Sequence, residues 1–118
     1  MSTSAIANVK FHKIRPDVID LDFDDEVQEF VNKFNSETYH RLKFESTNTY
    51  SVFYDRASHF DTEDIKNCLE GFDCIKIIWE YIILGDGTDP SYTYECTSTY
   101  ITETSSEDDE LDNLSEMF

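Results

Sequence analysis

Carboxylates are the groups in this sequence whose type and spacing could do chemistry. Asp20-x-Asp22-x-Asp24 opens like a calcium-binding EF-hand loop, in which alternate side-chain oxygens converge on the cation. That loop also needs Gly at its sixth position and a bidentate Glu at its twelfth, where this chain has Asp25 and Val31. A dedicated calcium loop is therefore not expected. Carboxylate pairs suited to general acid–base work occur all along the chain, so no single pair is set apart as a catalytic unit. Cys68, Cys74 and Cys96 are widely spaced with no C-x-x-C, and His12, His40 and His59 form no zinc-like spacing with them. The thiols read as small packed hydrophobes. The phosphate-binding and dinucleotide glycine motifs are absent, as is G-x-S-x-G. Asn113-Leu114-Ser115 fits the glycosylation pattern, which matters only in a secreted protein. The expectation is a protein that is not an enzyme and that takes no cofactor and no metal.

The elements that would position these acids follow from apolar periodicity. Residues 1–8 read as a loose start, and Val9–Ile14 alternates apolar and polar as a strand does, with Pro16 ending it. Phe23, Val27, Phe30, Val31 and Phe34 share one helical face, with Asp22 or Asp24 as the expected N-cap. Thr38–Phe44 and Thr49–Tyr54 flank Ser46-Thr47-Asn48 and predict a hairpin. Asp61 predicts the cap of a second helix, Phe60 and Ile65 take the spacing of a hydrophobic staple, and Gly71 is the expected stop. Cys74–Leu84 is the most apolar stretch. Its residues Ile75, Ile77, Trp79, Tyr81 and Ile83 share one face of a long central strand, covered by the helices on one side and partly on the other. A turn over Gly85–Pro90 leads to a strand over Ser91–Glu103, in which Tyr92, Tyr94, Cys96 and Tyr100 alternate. The order β-α-β-β-α-β-β predicts an α+β fold: two helices packed on a mainly antiparallel sheet. The expected organisation is one compact domain over 1–103 and an acidic C-terminal tail over 104–118. Leu111, Leu114, Met117 and Phe118 give that tail a near-helical apolar spacing.

Composition sets the function class. The 118 residues carry 26 Asp+Glu against 9 Lys+Arg, a net charge of −17. Direct binding to nucleic acid or to an acidic lipid surface has the wrong sign. The longest near-apolar run, Cys74–Leu84, is 11 residues and includes Lys76 and Glu80, against about 20 needed to cross a membrane. Met1–Asn8 has neither a basic start nor an apolar block, so no signal peptide is expected, and three unpaired cysteines fit a cytoplasmic protein. Disorder is not expected, because 9 Phe, 7 Tyr and 1 Trp can build a core. The charge is also segregated. Residues 1–76 hold 15 acidic and 9 basic residues, a net of −6, whereas residues 77–118 hold 11 acidic and none basic. Asp17–Glu29 alone has seven carboxylates, some of which suit a helix start. Solubility needs a net charge of only about 2–8 in magnitude, and the excess points to a basic partner.

In size, charge, aromatic content and lack of catalytic motifs, the chain resembles the acidic DNA-mimic proteins of bacteria and phages. The resemblance is one of composition over the whole chain. It implies a protein that occupies the DNA site of a basic DNA-binding protein, such as a histone-like nucleoid protein, a nuclease or a repressor, and competes by occupancy. The candidate contacts read from the charge pattern are Asp20, Asp22, Asp24, Asp25, Glu26 and Glu29, with a second group at Glu95, Glu103, Glu107, Asp108, Asp109 and Glu110. A monomer or dimer is the expected state. The alternative is an immunity or antitoxin-type inhibitor of one cationic toxin nuclease, whose aromatic residues would form buried hot spots. Exposed Tyr92, Tyr94 and Tyr100 beside Glu95 would favour it. A viral inhibitor of a nucleic-acid-binding host effector would use the same electrostatics.

Overall fold

The computed structural model describes residues 3–85 and 90–104. Two helices, α1 (Asp20–Glu37) and α2 (Thr62–Leu69), lie on one antiparallel sheet. Its strands are β1 (Ala5–Lys13), β2 (Lys43–Ser46), β3 (Thr49–Tyr54), β4 (Ile75–Ile83), β5 (Ser91–Cys96) and β6 (Ile101–Thr104), in the spatial order β2-β3-β1-β4-β5-β6. The predicted α+β class and element order hold, with one strand more than expected.

The core forms because each element has one apolar side. Along β4, Ile75, Ile77, Trp79 and Tyr81 face the helices and are buried, while the intervening residues are half-buried. Phe23, Val27, Phe30, Val31 and Phe34 of α1 are all buried, as their spacing predicts. Phe34 meets Trp79 at 5.5 Å between ring centroids, and Phe30 meets Phe11 edge-on at 5.7 Å. Ile65, Cys68 and Leu69 of α2 close the same core. Asp61 caps α2 by accepting a 2.9 Å hydrogen bond from the Glu63 amide, and Gly71 beyond it has φ +88°, a conformation that favours glycine.

Four local expectations need correction. Ala5–Asn8 is not a loose start but the first half of β1, paired with both β3 and β4. Ala5 and Ala7 are fully buried there, and their poor strand propensity hid the alternation. Helix α1 begins at Asp20, ahead of the expected caps, with Ile19 at the cap position and no side-chain capping bond. The strand expected over Thr38–Phe44 starts only at Lys43. Thr38 folds back on the helix end through its amide and hydroxyl, both donating to the Phe34 carbonyl, and Asn35 Oδ1 accepts from the Leu42 amide at 2.7 Å. The strand expected over Ser91–Glu103 breaks into β5 and β6. The Thr97 hydroxyl accepts from the amides of Thr99 and Tyr100, making a turn that takes Tyr100 out of the strand.

The helices cover one face of the sheet. On the other face, no described element covers Ile6, Asn8, Ile78 and Ile82, which are half-exposed, or Phe53, which is 57% exposed. The expected partial cover on that side is not found among the described residues. The turn residues 86–89 and the tail 105–118 lie outside them. None of the described helices is long and apolar enough to cross a membrane.

Trp79 is fully buried, and its indole N–H makes no well-formed hydrogen bond among the described residues, the Tyr54 hydroxyl beside it being only a weak acceptor. Trp79→Ala is expected to destabilise by about 3–5 kcal/mol through the cavity it leaves. Trp79→Phe should do so by clearly less, because it also removes a poorly paired buried donor. Urea denaturation followed by circular dichroism checks both.

Candidate functional site

The acids sort by what the helices do with them. The apolar stripe of α1 sends Asp22, Asp25 and Glu29 to the opposite side, where all three are exposed. None of these three makes an ion pair among the described residues. Asp24 is exposed on the flank, beside a shallow cleft shared with Phe11 and Lys13. Asp20 is different: its carboxylate pairs with the Lys13 ammonium, which holds it below the usual carboxylate range. Asp17 pairs with Arg15 at 3.3 Å.

Glu26 is also different. Its Oε1 accepts from the Cys74 amide at 2.9 Å and its Oε2 from the Asp73 amide at 3.4 Å. It is half-buried and fastens α1 to the chain entering β4. Glu26, Asp73 and Cys74 bring their donor atoms within 4.8 Å of one another, a grouping a metal ion could use. Both Glu26 oxygens are already engaged, however. Partial burial and the two carboxylates push the Cys74 thiol up to about 11, which favours the protonated, non-ligating form.

Of the second predicted group, the two described members stand on opposite faces of the sheet. Glu95 on β5 faces the uncovered side of the sheet opposite Ile78, and its Oε2 accepts from the Tyr100 hydroxyl. That bond raises the Tyr100 phenol above its usual value. Glu103 on β6 pairs in register with Tyr94 and stands on the helix side. Glu107, Asp108, Asp109 and Glu110 lie outside the described residues. Of the tyrosines, Tyr92 and Tyr100 are exposed, whereas Tyr94 packs at 5.5 Å on the Phe60 ring.

Sequence reasoning missed the acids of α2. Glu63 on α2 and Glu70, the residue that ends it, are exposed, and the apolar side of α2 packs onto the same face of the sheet as α1. The signal was present, since Glu63 stands opposite Ile65, Cys68 and Leu69 on the helical period. Together the two helices carry nine acidic and two basic residues. The uncovered sheet face is more balanced, with Lys10, Lys43 and Lys76 against Glu80 and Glu95. The charge is thus polarised, acidic over the helical layer and mixed over the strands. The chain matches no protein-family model, no curated protein and no solved structure.

Two outcomes separate structural from exposed acids. Glu26→Ala leaves two amides without their acceptor and is expected to destabilise by about 1–3 kcal/mol. Replacing Asp22, Asp25 and Glu29 together by Asn, Asn and Gln removes like-charge neighbours at helical spacing, so the urea midpoint should hold or rise. A thiol-labelling time course supplies a further check. Cys68 and Cys96 are buried, with thiols pushed up to about 11 and about 12. At pH 8 only Cys74 should label in the native protein, and slowly. Its rate should climb with pH towards 11 as the thiolate fraction grows.

Proposed function

We propose that this protein acts as a DNA mimic. Its acidic helical layer occupies the DNA-binding surface of a basic protein, such as a nucleoid-associated protein, a nuclease or a repressor, and excludes DNA without turnover. One observation carries the reading. Asp22, Asp25 and Glu29 on the outer side of α1 and Asp24 on its flank stand exposed along eight residues of the helix, without a basic partner among the described residues. At 1.5 Å rise per residue, their mean axial interval is about 3.5 Å. Phosphates along one DNA strand repeat at about 3.4 Å. A surface evolved to hold phosphates with Lys and Arg meets on this helix a linear charge density close to that of one strand of the duplex.

Tyr100 favours a second reading, an immunity-type inhibitor of a single cationic nuclease. Tyr100 is 45% exposed and hydrogen-bonded to Glu95, an aromatic and acidic pair suited to a buried hot spot.

The two readings separate on competition. The 118-residue chain, immobilised at low salt, should capture basic DNA-binding proteins from its native lysate. Duplex DNA and raised salt should release them. The Asp22→Asn, Asp25→Asn, Glu29→Gln variant should lose at least about tenfold in affinity, with a shallower salt dependence. Capture of one nuclease that DNA cannot displace would replace the mimic by the inhibitor. Capture of nothing at low salt would overturn both.

A further inference from the structure

At the edge of the acidic layer, the end of α1 meets the stretch from Asp55 to Asp64 around a cleft of about 580 Å³. His40 follows α1, His59 ends a short 3-10 turn (Ala57–His59), Asp55 follows β3 and Asp64 lies in the first turn of α2. The imidazoles of His40 and His59 face each other with ring centroids 6.2 Å apart. His40 is half-buried against the Tyr54 ring at 4.3 Å, and Asp64 is half-buried beside it. No Lys or Arg is among the described residues that line the cleft.

We propose that this cleft is a binding site for a divalent transition-metal ion of the zinc type, with His40 and His59 as its nitrogen ligands and Asp64 and Asp55 as its oxygen ligands. The donor set decides the class of ion. Two imidazoles with carboxylates suit zinc and its neighbours, whereas calcium and magnesium take oxygen ligands. The ring geometry fits as well. A zinc–nitrogen bond of about 2.0–2.1 Å places each ring centroid about 3 Å from the ion, so two imidazoles at a tetrahedral centre have centroids about 5 Å apart. The observed 6.2 Å is about 1 Å wider. The four donors do not yet converge, since among the described residues only Glu26, Asp73 and Cys74 bring three donor atoms within 4.8 Å of one another. His59 and Asp55 are exposed, so binding requires their side chains to rotate inward. His40 cannot swing away as freely, because the Tyr54 ring backs it. Asp55 and Asp64 supply the negative potential that a cation needs and that no basic side chain in the cleft opposes.

This assignment stands apart from the DNA-mimic reading and can fail independently of it. The test is calorimetric titration of the 118-residue chain, stripped with EDTA and dialysed, with zinc chloride at pH 7.5. The expected result is one saturable zinc site per chain. His59→Gln and His40→Gln each remove a direct ligand and should weaken it by at least the roughly 10- to 100-fold that losing an outer-shell partner causes, and Cys74→Ser should leave it unchanged. His59 is exposed, so its variant keeps the fold and carries the test even where His40→Gln does not. Calcium at equal concentration should not displace the zinc. The proposal is overturned if the His59→Gln variant retains wild-type zinc affinity. It is equally overturned if Cys74→Ser removes the site, if calcium displaces the ion, or if only diffuse, non-saturating binding to the acidic surface is seen.

Discussion

Mutual repulsion of carboxylates is the constraint around which this fold is arranged. Two like charges about 6 Å apart in water repel by roughly 0.7 kcal/mol before salt screening. Burying one large apolar side chain contributes about 1.5–3 kcal/mol. A handful of ring burials therefore offsets many exposed acid pairs, provided that the acids stay in water and the rings do not. The chain meets that condition by keeping the two populations on opposite sides of each helix. The aromatic contacts linking Phe11, Phe30, Phe34 and Trp79 sit under the same helix that carries Asp22, Asp25 and Glu29 outward.

That arrangement explains why carboxylate count alone is a poor guide to role. Within a single turn of α1, Asp25 looks into solvent while Glu26 holds the amides of Asp73 and Cys74. The first adds to an external field. The second replaces water at two backbone donors, and its charge is spent inside the molecule. Asp20 is likewise drawn into a local pair with Lys13. What a partner would meet is the remainder, concentrated on one layer because the helices occupy one face of the sheet.

Much of this was legible in the residues. Spacing at the helical period gave the buried side of α1, and therefore its outward acids, without any tertiary information. The alternation of Ile75, Ile77, Trp79 and Tyr81 did the same for the central strand, and Asp61 and Gly71 bounded α2 as their chemistry requires. The misses share a cause. Thr38, Asn35 and Thr97 redirect the chain through side-chain bonds to nearby backbone, which an apolar pattern does not record. Ala5 and Ala7 lie buried in a strand that only its two neighbours define. At the candidate sites, the inward role of Glu26 depends on partners 47 and 48 residues away, and the meeting of His40 with His59 depends on how α1, β3 and α2 converge. No local window contains either.

The polarity of the molecule bears on how a basic partner would approach. A charged surface steers encounter over roughly a Debye length, about 8 Å at physiological salt. At that range an incoming cationic protein would sense a layer in which six exposed acids, Asp22, Asp24, Asp25, Glu29, Glu37 and Glu63, face two bases, and on the opposite side a sheet whose lysines and glutamates largely cancel. The torque favours approach to the helices. Once contact is made, the exposed carboxylates are held on a helix whose other side is packed against Trp79, so little ordering cost remains in the backbone. Long-range steering and short-range rigidity thus arise from the same feature: a helix too apolar on one side to leave the sheet and too acidic on the other to be buried by anything but a cation.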